Sequence, residues 1–220
     1  TSGGYASLAN ATAVTTVAST RGDAIALIDD ASTQTVDLLL SQTYSVTGDN
    51  AKYAAMFYPW CWFSFDSSVI SPNSSSGTTA TTILPGSIAY LLAFANSIKT
   101  NADWFAASGV TRGRIPNIVK PVTEIGESTM HKLQGDDTTS NLTVRINPIM
   151  QMGTYGYKVW GNRVMWKSSV TTVDSFLEFL NIRILLCDLK KNMYASSIRS
   201  TFEPNDDITW INFKTMNSTL

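Results

Sequence analysis

"KYAAMFYPWCWFSF", residues 52–65, decides the reading of this chain. Ala54 to Tyr58 include no charge and no turn former. A run that is apolar at odd and even positions alike fits a strand covered on both faces. Pro59 has no N–H to give to a ladder, so it marks an edge, a bulge or a strand end within that run. Upstream, "AIALIDD" (24–30) is a second apolar run, ending in two acids, and also reads as a buried strand. Between them, "TVDLLLSQTYSV" (35–46) reads as a helix and "TGDN" (47–50) as a turn. Before them, "NATAVTTVASTRGD" (10–23) fits a short Ala-rich helix. Downstream, the serine-rich 66–82 reads as a loop. "LPGSIAYLLAFANSIKTN" (84–101) resumes helical spacing, with Ile88, Leu91, Leu92 and Ala95 on one face. Strand, helix, strand, helix predicts an α/β sandwich with a largely parallel sheet between helices.

After "GVTRGRIPN" (109–117) the pattern changes. "KPVTEIGESTMHKLQ" and "LTVRINPI" read as short strands and turns, and "YGYKVWGNRVMW" (155–166) as a strand broken at Gly161. Residues 175–200 carry the strongest helical pattern, with Ile182, Leu185, Leu186, Leu189 and Met193 as its apolar stripe and Asp174 as its N-cap. The shift near 113–120 predicts two domains, an α/β domain over 1–116 and an α+β domain over 117–220. No internal repeat is visible.

Composition narrows the function classes. Charged residues make up 15% of the 220, against about 25% in an average chain. So little charge fits a surface covered by neighbours, although Ser, Thr and Asn also keep proteins soluble. A net charge of −1 gives no overall pull toward nucleic acid or anionic lipid. No apolar run approaches the ~20 residues of a membrane span. Cys61 and Cys187 sit in apolar surroundings and read as buried free thiols. With the single His131 they build no ordinary zinc site and leave little for a Ser–His or Cys–His nucleophile. No catalytic residue, metal site or cofactor is expected.

Three acids crowd "FEPNDDITW" (202–210), namely Glu203, Asp206 and Asp207. Pro204 ends the preceding helix, and Asn205 or Asp206 can then cap the next one, with Asp206 and Asp207 at the positive end of its dipole. Chain organisation therefore accounts for these acids without a reaction. Arg112 and Arg114 read as a solvated or subunit-facing turn before an anion site. The six tryptophans, at 60, 62, 104, 160, 166 and 210, read as core or interface. Residues 181–200 carry Arg183, Lys190, Lys191 and Arg199 against one acid, Asp188. That is either a solvated helix flank or a surface that docks an acidic partner.

An ordered set of motifs resembles the contractile tail sheath proteins of bacteriophages and R-type pyocins. The set is "YAAMFYPW" (53–60), "INPI" (146–149), "YKVWGNR" (157–163), "LNIRIL" (180–185) and "FEPND" (202–206). "RGDAIALIDD" (21–30) and "LPGSIAYLLAFANSIKTNADWFAASGV" (84–110) extend the resemblance over most of the chain. The positions that carry it are Tyr58, Pro59, Trp60, Asn147, Pro148, Trp160, Gly161, Arg163, Asn181, Arg183, Phe202, Glu203, Pro204 and Asn205. Two departures stand out: Val164 follows Arg163 where the family usually has threonine, and Ile184 follows Arg183 where it usually has a second arginine.

The resemblance implies a structural subunit with no enzymatic step. It implies a sheath core domain followed by an inner, tube-proximal C-terminal domain, incomplete at its end, so that the chain is expected to be a fragment. Implied partners are further copies in stacked helical rings, the tail tube protein, and baseplate and tail-terminator proteins, in a virion tail assembled in the host cytoplasm. Neither direct nucleic-acid binding nor membrane insertion is implied. Arg183, Lys190, Lys191 and Arg199 are the expected surface for tube or neighbour. The rivals are an α/β hydrolase or nucleotide-binding enzyme, which needs a cleft of converging polar groups, and a baseplate or tail-terminator protein with a sheath-like domain.

Overall fold

Two strands, rather than one, come from residues 52–65. The computed structural model describes residues 8–41, 46, 48–66, 79–135, 144–167 and 175–218. Within it β2 (Ala54–Tyr58) ends at a cis Tyr58–Pro59 bond, and β3 (Cys61–Asp66) starts two residues later in a different sheet. Pro59 is therefore a strand end.

β1 (Ala26–Ile28) pairs in parallel with β2, Ala26 opposite Ala54. β2 pairs in parallel with β6 (Asn147–Gln151), Phe57 opposite Asn147, and β6 pairs antiparallel with β7 (Tyr157–Val159). The order β1-β2-β6-β7 gives a mixed sheet. Alternation divides its residues between two cores. Ala26, Ile28, Ala54, Met56 and Met150 face one cluster, with Ala11 and Ala18 of α1 (Leu8–Arg21), Leu39 of α2 (Val36–Ser41) and Met130 and Leu133 of α5 (Glu127–Gln134). Leu27, Ala55, Phe57 and Ile149 face the other, with Ala89, Tyr90 and Ala93 of α3 (Gly86–Ser97) and Leu180 of α6 (Leu180–Ser197). The expected helix-covered sheet is present, with two of its three strand pairs parallel.

A second, antiparallel sheet has the order β4-β3-β5, with β4 (Thr79–Leu84) and β5 (Ile118–Pro121) flanking β3. β4 takes the end of the stretch expected to be a loop, because its β-branched threonines suit a pleated ladder. Residues 67–78 of that stretch, and Asp174, lie outside the described residues.

Other expectations are corrected. Residues 127–134 form helix α5, not strand and turn. Met130 and Leu133 fall on one face, and Gly135 closes the helix at φ 73. Across the shift at 113–120, β2 and β6 share one sheet, and both clusters draw on residues from either side of residue 116.

Both long helices are turned from their predicted faces. α3 buries Ala89, Tyr90, Ala93 and Ser97, leaving Leu91 and Ala95 exposed. Its first turn lies too close to β2 for larger side chains: a Cβ on Gly86 would stand 2.5 Å from the Phe57 carbonyl oxygen. The Tyr90 ring stacks on Phe57 at 4.2 Å. α6 buries Leu180, Arg183 and Cys187; of its predicted stripe Ile182, Leu185 and Leu189 are half-buried, and Leu186 (39%) and Met193 (47%) are exposed. α4 (Gly109–Arg112) and α7 (Asp207–Asn217) complete the helices named here.

Candidate assembly site

Asn147 is the centre of a buried polar junction at the start of β6. Its Nδ2 donates to the Met56 carbonyl at 3.0 Å and to the Arg163 carbonyl at 2.7 Å, and its Oδ1 accepts from the Arg163 N–H at 2.7 Å. One amide thus ties β2, β6 and the chain after β7 together. Gly161 passes directly over it, where a Cβ would meet Asn147 Oδ1 at 2.5 Å. Next to the junction, Glu178 is wholly buried and holds two guanidiniums, Arg145 at 2.8 Å and Arg163 at 3.4 Å. Arg145 also donates to the Gln134 carbonyl, and Arg163 lies 4.3 Å from the Phe179 ring centroid. Two cations around one carboxylate suit a low-dielectric site only if they stay hydrogen-bonded, which these contacts provide for the terminal nitrogens of Arg145 but not for its Nε.

The other resemblance positions around it are largely fasteners. Tyr58 Oη donates to the Gln34 carbonyl and Trp60 Nε1 to the Asp30 carbonyl. The Trp160 N–H donates to the Pro148 carbonyl. Asn181 accepts from Asn162 Nδ2 at 2.7 Å and donates to the Trp104 carbonyl. Asn147, Gly161 and Arg163 were singled out in the sequence; Glu178 and Arg145 were not. Their only sequence signal is that a charge-poor chain places charges inside strongly apolar segments.

Asp29, also missed, sits buried at the end of β1 and accepts from both the Ser87 N–H (2.8 Å) and Ser87 Oγ at the start of α3. Burial pushes its carboxyl above the usual range, and the Ser87 bonds pull it partly back. A raised folded-state value means that Asp29 contributes stability below its unfolded value, lost as pH rises through the folded one. Asp29→Asn removes the charge and keeps an oxygen to accept from the Ser87 N–H, while its Nδ2 donates to Ser87 Oγ where the carboxylate accepted. Denaturation as a function of pH is expected to show a smaller fall in stability across that acidic window than in the parent protein; an unchanged profile would refute this.

The four basic residues expected to form one surface are separated. Arg183 is buried: its Nε donates to the Leu177 carbonyl and its guanidinium lies 5.0 Å from the Tyr53 ring centroid. It leaves the surface set because it fills the inner face of α6. Lys190 is exposed, but its Nζ donates to the Arg21 carbonyl, closing the C-terminus of α1. Lys191 and Arg199 are exposed.

At "FEPND", Asp206 caps α7 by accepting from the Thr209 N–H at 2.8 Å, and that backbone bond holds its carboxyl below the usual range. Asn205 Oδ1 accepts from Trp210 Nε1. Phe202 is fully exposed at φ 72, and α7 buries no side chain. Cys61 and Cys187 are free and buried, and burial pushes the Cys61 thiol up to about 12, far from a reactive thiolate. Among the described residues no three His, Cys, Asp or Glu side chains gather as a metal-ligand set, and no helix is long and apolar enough to cross a membrane.

The layered mixed sheet is a fold shared with chains of contractile injection systems. The anti-feeding prophage baseplate in its contracted state contains a chain that matches 94% of this one with TM-score 0.66 and 19% identity, over 48% of that chain. The sheath complex of the extracellular contractile injection system PVC, contracted, matches 89% with TM-score 0.60 and 18% identity, over 46% of its chain. The contracted anti-feeding prophage helical sheath matches 96% with TM-score 0.57 and 16% identity, over 57%.

In sequence, the chain is similar to the tail sheath protein of Enterobacteria phage T4, 29% identical over 121 residues. That match takes in 55% of this chain and 16% of the T4 protein, so the chain spans only part of the proteins it resembles. No family profile matches. The resemblance to tail sheath proteins read from the motifs therefore stands on sequence and on fold.

Proposed function

We propose that this chain is part of a subunit of a contractile tail sheath. In this reading copies polymerise as helical rings around a tail tube, and their rearrangement drives the tube through a target envelope without bond-making chemistry. The observation that carries it is the sequence match to the T4 tail sheath protein, together with a fold shared over 94% of the chain with a component of a contracted particle. The division of roles between 1–116 as sheath core and 117–220 as inner, tube-proximal part belongs to this proposal. So do the tube protein, baseplate and tail-terminator as partners, and the virion as location. A baseplate role is the second reading, favoured by the anti-feeding prophage baseplate matches. Copy number per particle separates the two: a sheath subunit is present in many rings, a baseplate component in one.

Electron microscopy of the full-length protein is the direct test. Tubular arrays are expected; solitary globules under every condition that supports the particle would overturn the proposal. For the docking surface, Lys191 and Arg199 are the residues to reverse, because Lys190→Glu would also disturb the end of α1. Lys191→Glu with Arg199→Glu should weaken assembly several-fold, and more at low salt than at high salt. Unchanged assembly by a well-folded variant removes the assignment.

A further inference from the structure

Helix α6 separates two unpartnered features by its own length, about 27 Å for its 18 residues. At its N-terminal end, Leu180 and Ile184 join Leu27 of β1 and Tyr90, Leu91 and Phe94 of α3 around a hollow of about 200 Å3. Among the described residues no charged side chain lines it, and Leu91 on its rim is 38% exposed. The hollow is below the roughly 300–1,000 Å3 of small-molecule sites, and it offers an apolar side chain more than it offers a metabolite.

Beyond the other end of α6, Phe202 projects into solvent at φ 72. A phenylalanine in the left-handed region is strained, and packing against the described residues returns nothing for it. The charges on the two features are complementary. Phe202 is followed by Glu203, Asp206 and Asp207, all exposed, against one nearby cation, Arg199. Past the hollow, α6 carries exposed Lys190 and Lys191, with Arg21 beside them, against Asp188 and an Asp23 already bonded to Arg21. Lys191 is seven residues from Ile184, two turns along the same side of the helix.

We propose that Phe202 of one copy seats in the Leu91/Ile184 hollow of a second copy, with the acids after it set against Lys190 and Lys191. Knob and hollow lie far apart on one protomer, and in the sheath reading the contact is head-to-tail. Each copy gives its knob to the next, and the contact propagates as a ring or helix where a two-fold pair would close. The inference deepens the sheath proposal and rests on it for the presence of neighbouring copies.

The test is site-specific photocrosslinking in the full-length protein, with p-benzoylphenylalanine at position 202 and assemblies mixed from isotopically light and heavy copies. Adducts joining light to heavy chains at or beside Leu91 or Ile184 are expected. Adducts within one copy, or to another polypeptide, overturn the contact. Charge exchange gives the second readout: Lys191→Glu and Asp207→Lys should each weaken assembly about tenfold at low salt, and the double variant should recover most of it. A double variant no better than the singles overturns the pairing. Tubular arrays that form normally without these adducts refute this contact and leave the sheath reading standing, whereas the absence of arrays under all conditions refutes both.

Discussion

Replacing Glu178 with alanine should lower stability by about 3–5 kcal/mol, the usual cost of stranding buried charge. Glu178 has no exposed surface and stands between two guanidiniums, of which the Arg145 side chain is 5% exposed and the Arg163 side chain 17%. Alanine leaves Arg145 without its carboxylate where water cannot replace it. The expected readout is a urea midpoint lowered by more than about 1 M with an unchanged slope. The double variant Arg145→Met with Glu178→Leu removes the deepest pair together, and Arg163 still reaches the surface. It should therefore be more stable than Glu178→Ala alone. A double variant as unstable as the single would mean that volume, not isolated charge, sets the loss.

The second large effect is expected at Asn147. In Asn147→Asp the oxygen that replaces Nδ2 faces the carbonyl oxygens of Met56 and Arg163, which lose their donor and meet a negative charge. The bond from the Arg163 N–H survives. Unpaired buried groups cost about 1–3 kcal/mol each, and more when charge is involved, so a loss on the order of 4 kcal/mol is expected at neutral pH. Asn147→Ala should lose less. This site disfavours a carboxylate, so the introduced acid has a raised folded-state pKa. The defect is complete above that value and shrinks as pH falls toward the unfolded value, where the protonated acid can donate again. Stability of the Asn147→Asp variant that is independent of pH, or higher than that of Asn147→Ala at neutral pH, would refute the account.

The sequence shows where this molecule is apolar more clearly than which way it faces. Residues 54–58 read as a two-sided strand because no polar position interrupts them, and they are that strand. Pro59 marks its end for the reason expected of a residue without an N–H. The faces of α3 and α6 were not legible. Each helix is apolar on more than one side, and Leu91 and Leu186 are exposed while Tyr90 and Leu180 are buried. In α3 close approach leaves no room for a side chain at Gly86 against Phe57, and the next turn packs Tyr90 flat on the Phe57 ring. Hydrophobic spacing records that a residue avoids water; it does not record whether its own chain or another covers it. Of the candidate site, Asn147, Gly161 and Arg163 were found through the motif resemblance. Glu178 and Arg145 are partners distant in sequence, and no local pattern joins them. Arg183 shows the converse error, because a charge at helical spacing beside Lys190 looked like surface until its stem and ring contacts placed it inside.

β2 and β3 belong to different sheets yet are separated only by Pro59 and Trp60. A load applied to the outer three-stranded ladder therefore reaches the central sheet along covalent bonds, with no need to be relayed through side-chain contacts that slip. The two sheets must travel as one piece when the molecule is pushed or pulled.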